Sequence, residues 1–235
     1  MNENLKKIHD YLLSSGVKED KLKRSDESSV YLAMEIMEYA HRNQKRENGE
    51  DYANHPSRVL FNYQNLVGID PDALFGDIDT DLMYKHNIPY DGVQEVCLLH
   101  DVIEDTELTL EDIKDIYVDC GFEVYFKLYI EDALKRITHD KSVPYLDYIK
   151  ICLENPISAI VKMMDLQDNL RVIDLVELND DNYKRSHDYL YYIYIINDIY
   201  NFLENVKSYR EEFAKEPKMT REQLEKLCDS VEEIK

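Results

Sequence analysis

Apolar residues recur with the spacing of an α-helix along much of this chain. Three segments place them at intervals of three and four residues, so that each segment presents one apolar face. The stripes consist of Val30, Ala33, Met37 and Ala40; of Val93, Val96, Cys97, His100 and Ile103; and of Ile157, Ile160, Val161 and Met164. We therefore predict amphipathic helices in all three segments.

A fourth segment, residues 189–203, is apolar on nearly all sides and rich in Tyr and Ile. These residue types favour a strand by propensity, but the length of the segment and its helical surroundings favour a buried helix. We interpret most of the 19 tyrosines of the chain as packing residues with their hydroxyls at the rim of the core. Base stacking by one or two of them is the alternative.

Short motifs mark several helix starts. Residues 109–112 are close to a capping box, and residues 220–223, Thr-Arg-Glu-Gln, form one. Asn155 directly precedes Pro156, which predicts an N-cap followed by proline at the first helical position. Residues 142–144, Ser-Val-Pro, indicate a similar start.

The fold class follows from these patterns and from the scarcity of helix breakers. Only six Gly and six Pro occur in 235 residues, which favours long helices over many short strands. Residues 67–90 are the irregular exception, and we predict a loop with short helical turns there. The expected architecture is an all-α helical bundle.

The net charge of −21 limits the partners of the protein. An acidic surface repels nucleic-acid backbones and anionic lipids, so we expect neither a nucleic-acid nor a membrane partner. A phosphate-bearing substrate would need local cations or a metal ion to overcome this charge.

Cysteine usage and the N-terminus bear on the location in the cell. Cys97, Cys120, Cys152 and Cys228 form no C-x-x-C pair, which is typical of reduced thiols in an intracellular protein. Residues 1–7 lack the apolar run of a signal peptide, and no apolar stretch reaches the roughly 20 residues that span a bilayer. We expect a cytoplasmic protein, and the sequence does not indicate its oligomeric state.

Four polar clusters interrupt the apolar stripes, at residues 41–56, 98–106, 138–140 and 162–169. In the second cluster, His100 and Glu104 share a helix face, and Asp101 and Asp105 share the next one. Buried unpaired charges are costly, so a cation is expected there, and a divalent metal suits imidazole and carboxylate ligands. Each cluster alone has an ordinary structural interpretation, and the functional indication comes from the order of all four in one chain.

That order resembles the HD hydrolase domain of RelA/SpoT-type alarmone hydrolases, including the small single-domain ones. The family pattern is A-H-x-x-Q-x-R-x-x-G-x-x-Y-x-x-H-P, then L-L-H-D-x-x-E-D-T, then a Thr-containing motif, then K-x-x-D-x-x-x-N, and the match extends over residues 29–172. We accordingly divide the chain into an N-terminal helical extension (1–24), an HD hydrolase domain (25–208) and a C-terminal helical tail (209–235).

The resemblance implies a metal-dependent phosphohydrolase, with manganese as the usual ion of the family. The implied metal ligands are His55, His100, Asp101 and Asp165. Glu104 and Asp105 match the pair that positions or deprotonates the attacking water.

Five further residues are implicated in substrate binding. Arg46 matches the arginine that packs on the guanine base, and Asn169 matches a residue near the ribose and the metal-bound carboxylate. Lys45, Lys162 and Arg42 are candidates to offset phosphate charge.

Other positions have weaker assignments. His41 matches a family position that we interpret as structural, and His139 is interpreted as a solvent-facing helix end. Glu47 departs from the family, which has a basic residue there. The segment between His55 and His100 is also longer than in the family, and the excess falls within residues 67–90.

The reaction that the resemblance implies is removal of the 3′-pyrophosphate from guanosine 3′,5′-bis(diphosphate), ppGpp. Glu47 and the long insertion leave two alternatives open. One is an HD phosphohydrolase acting on a deoxynucleotide, nucleoside monophosphate or cyclic nucleotide. The other is a non-catalytic module that binds a nucleotide or a partner protein.

Overall fold

A computed structural model describes residues 3–22, 28–68, 79–175 and 179–214. Regular secondary structure within these ranges is helical throughout, which confirms the predicted all-α fold. The helices are α1 (Glu3–Ser14), α2 (Glu19–Leu22), α3 (Ser29–Ala40), α4 (Asn54–Val67), α5 (Thr80–Lys85), α6 (Val93–Leu99), α7 (Val102–Asp105), α8 (Leu110–Asp119), α9 (Glu123–Tyr125), α10 (Glu131–Ile137), α11 (Tyr145–Cys152), α12 (Pro156–Leu175), α13 (Asp180–Tyr200) and α14 (Phe202–Phe213), with a π-helical turn (Phe126–Ile130) between α9 and α10.

The centre of the bundle is α12, which packs against α4, α6, α10, α11 and α13. Its residues Ala159, Ile160, Val161 and Leu166 are fully buried. Because α4 and α6 also pack against each other, polar side chains on their facing sides are enclosed by the bundle. This three-helix junction positions the site described below.

The predicted stripes lie on buried helix faces, as expected. Ala33, Met37 and Ala40 are buried on α3, and Ile160 and Met164 are buried on α12.

The second stripe is divided in two. The segment that begins at Val93 forms α6 and α7, with His100 and Asp101 between them. There the His100 ring bonds to the backbone carbonyl of Cys97.

The helix starts were predicted with mixed success. Thr109 and Asp112 form a capping box at α8, and the Asn155 side chain accepts from the backbone N–H groups of Ile157 and Ser158 at the start of α12. A helix also starts near the predicted residues 142–144, because α11 begins at Tyr145 directly after Pro144, but Ser142 does not cap it and its backbone N–H donates to Asp140 Oδ1. Residues 220–223 lie outside the described part of the chain.

The segment predicted as a buried helix is helical but largely exposed. Residues 189–200 belong to α13, where Leu190 is 58% and Tyr194 65% exposed, and α14 begins at Phe202. The prediction of burial is wrong because α13 lies on the outside of α12 and only one of its faces meets the bundle.

The remaining expectations concern the N- and C-terminal domain boundaries and the irregular segment at residues 67–90. α1 buries Leu5, Ile8 and Leu12 in the same core as the rest of the protein, and α14 crosses residue 208. The domain boundaries at 24 and 208 stay predictions. Within residues 67–90 the structure shows the short helix α5, while residues 69–78 lie outside the described ranges.

Two of the cysteines, Cys97 and Cys152, are free and buried, while Cys228 is not among the described residues. None of the helices that the structure describes is both long enough and apolar enough to cross a bilayer.

Candidate functional site

Two imidazoles and two carboxylates meet where α4, α12 and the junction of α6 and α7 come together. The Nε2 atom of His55 lies 3.1 Å from Asp165 Oδ1 and 3.4 Å from Asp101 Oδ2. The Nε2 atom of His100 lies 3.7 Å and 3.1 Å from the same two oxygens. The four predicted metal ligands, which are distant in sequence, therefore face one point.

The spacing of three of these groups, His55, His100 and Asp165, fits a single divalent ion, and Asp101 borders them through its contacts with both imidazoles. Metal–ligand bonds of about 2.1 Å place neighbouring ligand atoms roughly 3.0–3.4 Å apart in octahedral or tetrahedral geometry. Ligand atoms of His55, His100 and Asp165 all lie within 4.8 Å of one another. His100 Nε2 is also buried and makes no hydrogen bond within the described residues, and it faces the carboxylate oxygens of Asp101 and Asp165.

Each imidazole is oriented by its other ring nitrogen. The Nδ1 atom of His100 lies 2.8 Å from the carbonyl oxygen of Cys97, and that of His55 lies 2.7 Å from Asp168 Oδ2. Metal-binding histidines normally donate their second N–H to such an acceptor, which fixes the tautomer. Both Nε2 atoms are thereby directed at the carboxylates.

The carboxylates create a strongly negative potential at this cluster. Burial lowers the pKa of both imidazoles, but the neighbouring carboxylates outweigh burial and raise the pKa to about 9 for His55 and about 10 for His100. Burial raises the pKa of Asp165, but Lys162 and the two imidazoles hold that pKa well below its usual range. The site favours added positive charge, which a divalent cation would supply.

Two polar side chains on α12, Lys162 and Asn169, surround Asp165. Lys162 Nζ donates to Asp165 Oδ2 over 2.7 Å, and Asn169 Nδ2 donates to Asp165 Oδ1 over 2.6 Å. The ammonium group of Lys162 also lies 5.6 Å and 5.1 Å from the ring centroids of Tyr145 and Tyr148, within range of a cation–π attraction. A spacing of three and four residues puts these side chains on one face of the helix.

A tight turn brings Arg46 to the same face. The Arg46 N–H donates to the carbonyl of Glu50 over 2.9 Å and the Gly49 N–H donates to the carbonyl of Arg46 over 2.8 Å. Gly49 has φ +87°, a left-handed conformation that glycine adopts without strain. Arg46 Nη2 then donates to Asn169 Oδ1 over 2.7 Å, so Asn169 links this guanidinium to Asp165.

Glu104 lines the same cavity as the cluster. Its Oε2 atom accepts from the backbone N–H of His139 over 3.1 Å, and burial raises its pKa. The interpretation of His139 as solvent-facing is corrected here, because its ring lies in the cavity wall, 4.4 Å from the ring centroid of Tyr148. The backbone that follows α10 therefore contacts Glu104 on α7 and orients one of its carboxylate oxygens.

Asp105 lies beside the cavity, and Tyr52 connects it to the cluster. The Tyr52 hydroxyl is 2.8 Å from Asp101 Oδ2 and 2.9 Å from Asp105 Oδ2, so it donates to one of them at a time. Burial and the two carboxylates raise its pKa, which keeps the hydroxyl protonated. His41 stacks on the Tyr52 ring and bonds to Gln44, consistent with the structural role expected for it.

Most of the predicted site residues line a cavity of about 330 Å³, with His100 buried beneath it. The predicted residues in its wall are Lys45, Arg46, His55, Asp101, Glu104, Lys162, Asp165 and Asn169. Sequence reasoning missed Arg185 and Tyr189, which α13 adds to the wall, because α13 lies beyond the matched motifs. Glu47, at the usually basic family position, also lines the cavity, and its Oε2 atom lies 3.9 Å from Arg185 Nη2.

Arg42 is the predicted substrate-binding residue that the fold directs elsewhere. Its guanidinium lies 3.9 Å from the ring centroid of Tyr39 and donates to the backbone carbonyl of Tyr39. A second contact, 3.5 Å long, reaches Glu107. Arg42 therefore does not line the cavity described here.

Comparison with known proteins identifies relatives of one kind. Guanosine-3′,5′-bis(diphosphate) 3′-pyrophosphohydrolase MESH1 of Homo sapiens is 27% identical over 154 residues, which cover 63% of this chain and 70% of that protein. The protein of the same name from Mus musculus matches to the same extent. That of Drosophila melanogaster is 27% identical over 150 residues, which cover 59% of this chain and 67% of that protein. These relatives confirm the resemblance to alarmone hydrolases.

No protein-family model matches the chain. A solved structure described as a metazoan ortholog of SpoT that hydrolyses ppGpp aligns with a TM-score of 0.47 and 20% identity, over 79% of this chain and 95% of that one.

Proposed function

We propose that this protein hydrolyses ppGpp to GDP and pyrophosphate, with Mn²⁺ as the metal. The observation that carries the proposal is the convergence of His55, His100, Asp101 and Asp165 at the floor of a cavity that also contains Glu104. The names of three curated relatives, all ppGpp 3′-pyrophosphohydrolases, support the choice of substrate.

In this proposal each group of residues has a defined task. His55, His100, Asp101 and Asp165 would hold the ion, which supplies positive charge for the scissile phosphate and lowers the pKa of water. Glu104 accepts the proton of the attacking water, a role for which a raised carboxyl pKa is suited. The backbone N–H of His139 fixes the direction of the Glu104 carboxylate.

The remaining polar residues of the wall would bind the nucleotide. Lys45, Arg46, Lys162 and Arg185 place four cations around the cavity, which offsets phosphate charge locally although the whole chain carries −21. Planar guanidinium groups suit both bidentate phosphate binding and stacking on a base. The Tyr145 and Tyr189 rings give the cavity an aromatic surface of the kind on which a base can stack.

A direct assay tests this proposal. The purified protein is incubated with ppGpp and Mn²⁺, and we expect equal amounts of GDP and pyrophosphate. Glu104→Gln should lower kcat by about 10²- to 10⁴-fold. Glu107→Gln, an exposed carboxylate three residues further on, is the matched control and should leave the rate unchanged. Absence of pyrophosphate release by metal-loaded wild-type protein would show that the substrate assignment is wrong.

Glu47 gives a reason to test less highly charged substrates in parallel. Its carboxylate lines the cavity and repels the phosphates of a substrate as anionic as ppGpp. A panel of deoxynucleotides, nucleoside monophosphates and cyclic nucleotides distinguishes the alternatives by kcat/KM. Binding of intact nucleotide at full metal occupancy, without turnover of any of them, would instead support a non-catalytic module.

A further inference from the structure

His55 is backed by a buried carboxylate that the sequence motifs do not single out. Asp168 is fully buried, and its Oδ2 atom lies 2.7 Å from His55 Nδ1, while His55 Nε2 faces Asp101 and Asp165. The side chain does not line the cavity, so it has no direct access to a substrate there. Any effect of Asp168 on the site is therefore exerted through His55.

Two further charged residues hold Asp168 in place. Arg58 Nε donates to Asp168 Oδ1 over 2.7 Å, and its Nη2 atom donates to Asp168 Oδ2 over 3.1 Å. The same guanidinium makes a second two-bond contact, of 3.1 Å and 2.7 Å, with the Glu50 carboxylate. Arg58 thus joins Asp168 to Glu50, and a fully buried carboxylate requires such a partner.

The other end of this ion-pair chain is the turn that carries Arg46. Glu50 accepts the Arg46 backbone N–H through its carbonyl group and holds Arg58 through its side chain. The orientation of His55 and the position of the Arg46 turn are therefore fixed by one set of contacts.

The two histidines of the cluster are oriented by different means. The Nδ1 of His100 contacts a backbone carbonyl, that of Cys97, which no side-chain substitution removes. The Nδ1 of His55 contacts a side chain. For His55, but not for His100, the partner of Nδ1 can therefore be removed by mutation and its effect on metal binding measured.

We propose that Asp168 is a positioning residue that fixes the tautomer and ring orientation of His55. Arg58 and Glu50 hold Asp168 and connect it to the turn that carries Arg46. This inference rests on the proposed metal site. With His55 Nδ1–H donated to Asp168, the lone pair of His55 Nε2 points at the ion. An Asn at this position has the same size, but its amide directs N–H groups at either the imidazole or the guanidinium.

The test measures metal affinity in the absence of nucleotide. Metal-free full-length protein is titrated with Mn²⁺ by calorimetry, for wild type, Asp168→Asn and Arg58→Lys. We expect Asp168→Asn to raise the Mn²⁺ Kd by about 10- to 100-fold and Arg58→Lys, which keeps the charge, to raise it less. Turnover of Asp168→Asn should recover substantially at saturating Mn²⁺, which a general folding defect would not allow.

The matched control is Glu95→Gln, which removes a different buried carboxylate, one bonded to Ser29 and absent from the cavity wall. It should leave the Mn²⁺ Kd unchanged. If Asp168→Asn does not fold, the double variant Arg58→Met with Asp168→Asn removes both charges of this ion pair and should show the same loss of affinity.

The possible failures are distinguishable. Wild-type affinity in a folded Asp168 variant would overturn the positioning role and leave the proposed function intact. Wild-type protein that binds no divalent metal would overturn the proposed function, and the positioning role with it.

Discussion

The backbone N–H of His139 donates to the Oε2 atom of Glu104 over 3.1 Å, which joins the third sequence motif to the second. The other carboxylate oxygen, Oε1, lies 4.0 Å from Lys141 Nζ, an exposed group. A main-chain donor cannot rotate away as a side chain can. Glu104 is therefore held in one direction at the edge of the cluster of His55, His100, Asp101 and Asp165, as the proposed role of proton acceptor requires.

The raised pKa of Glu104 predicts the acidic limb of the pH profile. Burial disfavours the carboxylate form and raises the pKa above its ordinary value of 4.5. A base acts only when deprotonated, so kcat should fall as the pH drops through this raised pKa and level off above it. The measurement is kcat against pH at saturating Mn²⁺. A rate that stays constant down to pH 4.5 would contradict the assignment of Glu104 as the base.

Removal of the Tyr52 hydroxyl should impair turnover. Tyr52→Phe deletes the donor shared by Asp101 and Asp105 but keeps the ring that stacks on His41. A hydrogen bond to a charged group contributes about 1.5–3 kcal/mol, so we expect kcat to fall by roughly 10-fold or more. Tyr194→Phe, at a 65% exposed position, is the control. Equal rates for the two variants would mean that Tyr52 does not act through the carboxylates.

Two arginines of the first motif should behave differently. Arg46 lines the cavity and bonds to Asn169, whereas Arg42 lies outside it against Tyr39. Arg46→Ala should raise KM for ppGpp by about 10- to 100-fold, the effect of a lost charge-assisted contact, and Arg42→Ala should leave KM unchanged. Steady-state kinetics of both variants decide the point. An increase in KM for Arg42→Ala alone would show that the cavity is not where the nucleotide binds.

A pair of glycines tests the packing that supports α6. A Cβ atom on Gly92, whose φ is +77°, would lie 2.8 Å from the backbone oxygen and the Cβ of Tyr129. Gly121, with φ +80°, has no atom within 4 Å of such a Cβ. Gly121→Ala should cost about 1–2 kcal/mol for the left-handed backbone. Gly92→Ala should cost a further 1–3 kcal/mol or so for the clash.

Thermal unfolding of the two glycine variants separates the two effects. At about 2–4 °C of Tm per kcal/mol for a chain of this size, the Gly92 variant should melt several degrees below the Gly121 variant. Equal Tm values would show that the Tyr129 contact does not constrain the turn before α6.

The sequence by itself determined several helices and predicted the cluster of imidazoles and carboxylates. Apolar spacing located α3 and α12, and the bonds of Thr109 and Asn155 at two helix starts were predicted from a few neighbouring residues. These features depend on groups within one turn of each other, which the local sequence specifies. The resemblance of the four polar clusters to a known family also indicated which imidazoles and carboxylates belong together.

Only the tertiary structure decided which residues support and enclose this cluster of imidazoles and carboxylates. The contacts of Asp168 with His55 and Arg58 join residues more than 100 positions apart, and no spacing rule predicts such pairs. The same holds for the place of His139 over Glu104, the exclusion of Arg42 and the contribution of α13 to the cavity wall. Such contacts depend on how helices cross and which way each side chain points after packing, and these are properties of the assembled bundle.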